Sequence, residues 1–204
     1  MIQPEVKSRR CMRLCLIVGS MLCLPIAQAA DSQGNFAVKG VANVSCKDYA
    51  ASAAQGGPEL SQYLGHVNGY VSAYNALSVN TFDVLSWQSV DTILLLLLSR
   101  CDKHPEVKFG AMLTTLLGYL HEHRVQAVAS RVALGPKENS LYLYEPVFKE
   151  LTQRLQAAGY KQADAYQALL AFAADQNIVR SENFHQMALL RLFNLKQPDV
   201  QRTE

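Results

Sequence analysis

The stretch Asp91–Leu120 constrains this chain more than any other. It opens with six consecutive apolar residues, Ile93 to Leu98, and reaches Cys101 three positions later. A run without a polar face predicts a helix covered on all sides. Arg100, Asp102 and Lys103 mark its wet end, and Gln88 or Ser89 is placed to cap its start. His104-Pro105 then opens a second apolar segment. Proline disfavours helix in the residue before it, so His104 reads as a turn residue. Phe109, Met112, Leu113, Leu116, Leu117 and Leu120 recur at helical spacing, and the pattern allows continuation to Leu134. The expectation is a buried helix, a turn and an amphipathic helix, with a cysteine at the elbow.

The first 29 residues have the make-up of a signal peptide. Lys7, Arg9, Arg10 and Arg13 precede an apolar core, Leu14 to Ala27, and Ala27-Gln28-Ala29 is a small-x-small cleavage site. The core is shorter than the roughly 20 residues a membrane span needs. No stable membrane span is therefore expected after cleavage, and the export route implies a periplasmic location. Setting the leader aside leaves 15 basic and 16 acidic residues, so the whole-chain charge of +2 becomes −1. Without a basic stripe, nucleic acid is excluded as the expected partner.

Export also sorts the cysteines. Cys11, Cys15 and Cys23 belong to the leader, and the rest of the chain keeps Cys46 and Cys101. Two cysteines in an oxidising compartment read as one disulfide, the alternative being two buried free thiols.

The remaining chain punctuates into helices. Residues 30–45 are polar with Gly34 and Gly40, and read as a flexible arm. A short alanine-rich helix, Cys46 to Gln55, ends at Gly56-Gly57-Pro58. The next, about Glu59 to Leu77, carries Leu60, Tyr63, Leu64, Val67, Val71 and Tyr74 on one face. Gly65, Gly69 and Ala73 form a second stripe, read as a groove for the close approach of another helix. In the loop Ser78 to Ser86, Phe82, Val84 and Leu85 are expected to tuck inward. Trp87, the single tryptophan, is expected at the edge of the core. Gly135 to Ser140 reads as a linker. Three helices follow, about Glu145 to Ala158, Gln162 to Gln176, and from Ser181 onward to about 195, before a polar tail, 196–204. No strand alternation stands out.

Catalytic and metal motifs are scarce. In His121-Glu122-His123 the two imidazoles are two positions apart, about 200° around a helix, so they cannot share an ion; a zinc helix spaces its histidines by four. A thiol nucleophile would require Cys46 or Cys101 to be free and activated. No phosphate loop, nucleophile elbow or Cys-x-x-Cys is present. The expectation is a protein that is not an enzyme, with no catalytic residue, no metal and no cofactor.

Three stretches carry a resemblance. Cys46-Lys47-Asp48-Tyr49, the helix Leu64 to Asn75 (LGHVNGYVSAYN), and Cys101 followed eight residues later by Phe109 resemble the HdeA-type periplasmic acid-stress chaperones, over about residues 46–124. The resemblance implies an all-α fold, a small orthogonal helical bundle (46–134) tied by one Cys46–Cys101 disulfide, here with a C-terminal three-helix extension (141–195). It implies a homodimer that loosens in acid and covers unfolding protein clients. The helix-loop-helix outline with a His-Pro elbow is also similar to Tai-type immunity proteins, which bind and block a cell-wall-degrading toxin.

Overall fold

The computed structural model describes residues 31, 33, 35–181 and 183–193. The expected leader, 1–29, and tail, 196–204, lie outside them. The described residues from Val38 onward form one compact unit. Before it, the amides of Gln33 and Asn35 donate to Asp31 Oδ1 at 2.9 and 2.8 Å, a local turn.

The described chain is mostly helical. Its helices are α1 (Cys46–Gln55), α2 (Pro58–Leu77), α3 (Val90–Cys101), α4 (Phe109–Leu120), α5 (Glu145–Ala157), α6 (Ala165–Asp175) and α7 (Phe184–Leu192). Local chemistry sets several starts. Ser45 caps α1 through Asp48, Ser89 caps α3 through the Thr92 amide at 3.1 Å, and Asp164 caps α6 through the Gln167 amide at 2.9 Å. Pro58 occupies the first turn of α2, where its missing N–H costs nothing.

Four expectations are corrected. The fold is not purely helical: β1 (Arg131–Leu134) and β2 (Leu141–Tyr144) form an antiparallel hairpin, with Arg131 opposite Tyr144 and Leu134 opposite Leu141. The segment from Gly135 to Ser140 is the connection of that hairpin. Helix α4 stops at Leu120, and one 3-10 turn, His121–His123, follows. Arg124 then reinforces the stop, its guanidinium donating to the carbonyls of His121 at 2.7 Å and Asn80 at 3.0 Å.

The second correction concerns residues 38–45 of the expected flexible arm. They are held: Gly40–Asn43 is a 3-10 turn with Ala42 buried, and the Phe109 amide donates to the Val44 carbonyl at 2.9 Å. Third, the Gly65/Gly69 stripe is no groove. Nothing lies within 4 Å of a Cβ added at either position, whereas at Gly110 such a Cβ would sit 2.8 Å from the Ala42 Cβ. The close backbone approach is therefore made by α4 and the Gly40–Asn43 turn. Fourth, the leucine run is not covered all round, since Leu95 is 44% exposed. A single helix turn at the molecular surface has one direction without a neighbour, and Leu95 points that way.

Two hydrophobic cores fill the unit. The first gathers side chains of α1 to α4, centred on Ile93, Leu97, Phe109, Leu113 and Leu117. The second gathers the hairpin and α5 to α7, centred on Leu143, Leu151, Leu169 and Leu189. Trp87 joins the second core although its sequence neighbours Val84 and Leu85 belong to the first. Its ring lies 5.7 Å from that of Phe193. No helix among the described residues is long and apolar enough to cross a membrane.

Candidate functional site: a stapled elbow and a polar seam

Cys46, the first residue of α1, and Cys101, the last of α3, are joined in a disulfide with Cα atoms 4.7 Å apart. Both are buried. The α3–α4 elbow closes over the same point. Its carbonyls at Val107 and Pro105 accept from the amides of Cys46 at 2.7 Å and Lys47 at 2.9 Å, satisfying two of the four free donors at the start of α1. His104 donates its amide to the carbonyls of Arg100 and Cys101, the turn role its place before proline suggests. With both sulfurs bonded and buried, neither is a thiolate nucleophile in this structure.

Around the staple, the rings of Tyr49, Tyr63 and Phe109 meet pairwise at 4.8 to 4.9 Å between centroids. The Tyr49 hydroxyl donates to the Leu94 carbonyl at 2.9 Å. Burial, and after it the neighbouring Tyr63, hold this phenol far above its ordinary value. His66 lies against Phe109 with its Nε2 buried and unpaired, and burial lowers its proton affinity. Arg100 is only 4% exposed, with Nε and Nη1 unpaired, so this corner holds a cation at some cost.

The two imidazoles of His121-Glu122-His123 have different neighbours. His121 Nδ1 meets the Tyr74 hydroxyl at 3.1 Å, while the His123 ring turns to Tyr119. No cluster of three or more His, Cys, Asp or Glu able to hold a metal occurs among the described residues.

Sequence reading missed a well-connected polar residue, Asp83. It stands between Phe82 and Val84, and only those apolar neighbours attract notice in the sequence. Its Oδ1 accepts from the Leu85 amide at 3.0 Å and from Asn75 Nδ2 at 3.2 Å. Asn75 in turn accepts from the Val84 amide at 2.8 Å. Asp83 Oδ2 accepts from the Tyr144 hydroxyl at 2.8 Å, and that hydroxyl accepts from Arg131 Nη2 at 3.0 Å. The Arg131 guanidinium also lies over the Tyr144 ring, 4.8 Å from its centroid. Backbone bonds between Asp83 and Val125 run alongside. This chain links the loop after α2 to the hairpin, and so links the two cores. Burial first, then the bond to Asp83, raise the Tyr144 phenol against the opposing pull of Arg131, so it stays protonated and donates. The one available signal was an acid and an amide eight residues apart, a spacing with no local meaning.

A cleft of about 380 Å³ opens on this seam, lined in part by Leu85, Ser86, Trp87, Gln88, Arg131 and Tyr142. Comparison with protein-family models, with curated proteins and with solved structures finds no match to this chain.

Proposed function

We propose that this chain acts outside the cytoplasm as a helical binding protein without catalytic activity, of the HdeA-like, orthogonal-bundle kind, covering unfolding protein clients during acid stress. The observation that carries this reading is the Cys46–Cys101 disulfide, which staples α1 to the leucine helix inside the first core. A disulfide persists in an oxidising compartment, and it keeps α1 and α3 attached when other contacts loosen. Two further features support it. His66 is half-buried, its Nε2 covered and without a partner, and it gains charge in acid. Leu77 and Val79 expose 82% and 80% of their surface at the end of α2, apolar area available to a client. The test is client aggregation at acidic pH. Suppression near stoichiometric amounts supports the reading; an intact fold with no protection refutes it.

The immunity-type reading also draws on Leu77 and Val79, because the neighbouring loop is braced by Asn75 and Asp83 and suits one fixed partner. Capture of a single stoichiometric protein from a periplasmic extract at neutral pH selects it over the chaperone. A cell-wall-cutting activity blocked by this chain establishes it.

A further inference from the structure

The cleft on the seam is lined by polar as well as apolar side chains. Ser86 and Gln88 line it, and both are more than nine-tenths buried, at 5% and 7% exposure. Gln88 spends its carbonyl oxygen on the Trp87 amide at 3.2 Å. Among the described residues no group accepts from its amide nitrogen, and none bonds the Ser86 hydroxyl. Neither atom is among the buried, unpartnered polar atoms of the described residues, so both are reachable from solvent. Arg131 adds a cation to the same cleft. Its Nη2 is spent on Tyr144, while Nε and Nη1 meet no acceptor among the described residues. Donor-bearing side chains from two separate segments thus line one cleft. Asp83 also lines the cleft, its oxygens accepting from Asn75, Leu85 and Tyr144. Leu85 and Tyr142 supply apolar and aromatic wall beside the donors. The volume falls within the ~300–1,000 Å³ of small-molecule sites.

We infer that this cleft binds a small, partly apolar carboxylate, its oxygens held by Arg131, Ser86 and Gln88 and its tail against Leu85, Tyr142 and Trp87. A carboxylate is acceptor-only, and the guanidinium, the amide nitrogen and the hydroxyl can each donate to it. The inference is independent of the chaperone reading, since it uses neither the disulfide nor the α2 tip.

Trp87, the single tryptophan, lines the cleft, so its fluorescence reports occupancy directly. The purified protein is titrated with 4-phenylbutyrate and, separately, with the neutral 4-phenylbutyramide. The acid produces a saturable change, and the amide binds about tenfold more weakly for want of charge-assisted bonds. Arg131→Gln weakens the acid by about tenfold and Ser86→Ala by roughly threefold, with far-UV circular dichroism unchanged. Ser86→Ala leaves the Asp83–Tyr144–Arg131 chain intact and decides the matter alone if Arg131→Gln fails to fold. No saturable response at millimolar acid, equal binding of acid and amide, or a response untouched by Ser86→Ala and any folded Arg131→Gln overturns the inference.

Discussion

Removing the disulfide should cost this protein a large share of its stability, and the size of the loss follows from chain entropy. Cys46 and Cys101 are 55 residues apart. Opening a loop of that length returns about 4 kcal/mol of conformational freedom to the unfolded chain. The native state offers little to offset it, because both cysteines are buried among apolar neighbours and free thiols sit comfortably there. At about 2–4 °C per kcal/mol for a chain of this size, the melting temperature should fall by roughly 8–16 °C. The perturbation is made twice, by reductant on the wild type and by the double variant Cys46→Ala/Cys101→Ala, so that a packing artefact in one is exposed by the other. Guanidinium unfolding is followed by circular dichroism and by Trp87 fluorescence. The second probe is informative because Trp87 packs in the second core while the disulfide lies in the first. If the Asp83 seam couples the cores, both signals move together to lower denaturant. A loss below about 1 kcal/mol in both forms would falsify the entropic account. A shift in circular dichroism with the fluorescence transition unmoved would refute the coupling.

Three other outcomes are expected. Tyr144→Phe removes the hydroxyl between Asp83 and Arg131 and should cost about 1–3 kcal/mol, since a hydrogen bond to a charged acceptor is lost; combined with Asp83→Asn it should lose clearly less than the sum, and strict additivity in the double-mutant cycle counts against a shared network. His185 is buried and His66 half-buried, each with Nε2 covered and unpaired, and burial lowers both below the ordinary histidine value near 6.5. The unfolded chain therefore binds more protons, so their contribution is fully present above about 6.5 and falls away as pH drops toward their folded values. Unfolding measured between neutrality and mild acid should show stability declining with falling pH, and His66→Gln/His185→Gln should flatten that decline; an unchanged slope rejects the assignment. Gly65→Ala and Gly69→Ala place a methyl in open space on α2 and should each stabilise by about 0.5–1 kcal/mol, whereas Gly110→Ala forces a methyl onto Ala42 and should destabilise by about 1–3 kcal/mol despite the same propensity gain. Melting curves of the three variants separate them, and a stabilised Gly110→Ala disproves the close approach.

Where a residue's fate depends on its own helix turn, it was legible in advance. The leucine helix and its Ser89 cap, the face Phe109 to Leu120, the start at Pro58 and the three C-terminal helices all follow from spacing and local hydrogen bonding. The pairing of Cys46 with Cys101 was expected from a count of two and from the oxidising destination that the leader's make-up suggests. The hairpin was not legible, because four residues a side give too little alternation to stand above noise. Arg-Val-Ala-Leu and Leu-Tyr-Leu-Tyr become strands through each other and through the core beneath Leu134 and Leu143.

What tertiary structure alone decided is which exposed-looking or buried-looking residues meet. Gly65 and Gly110 are both glycines within helices, yet only Gly110 faces a backbone. Leu95 belongs to the same run as Leu97, yet only Leu97 is fully covered. Asp83 and Tyr144 are 61 residues apart and meet because the loop after α2 and the hairpin close on one another. Periodicity records the direction a side chain takes from its own axis. What waits in that direction is a property of the assembled chain, and the seam, with its cleft, exists only there.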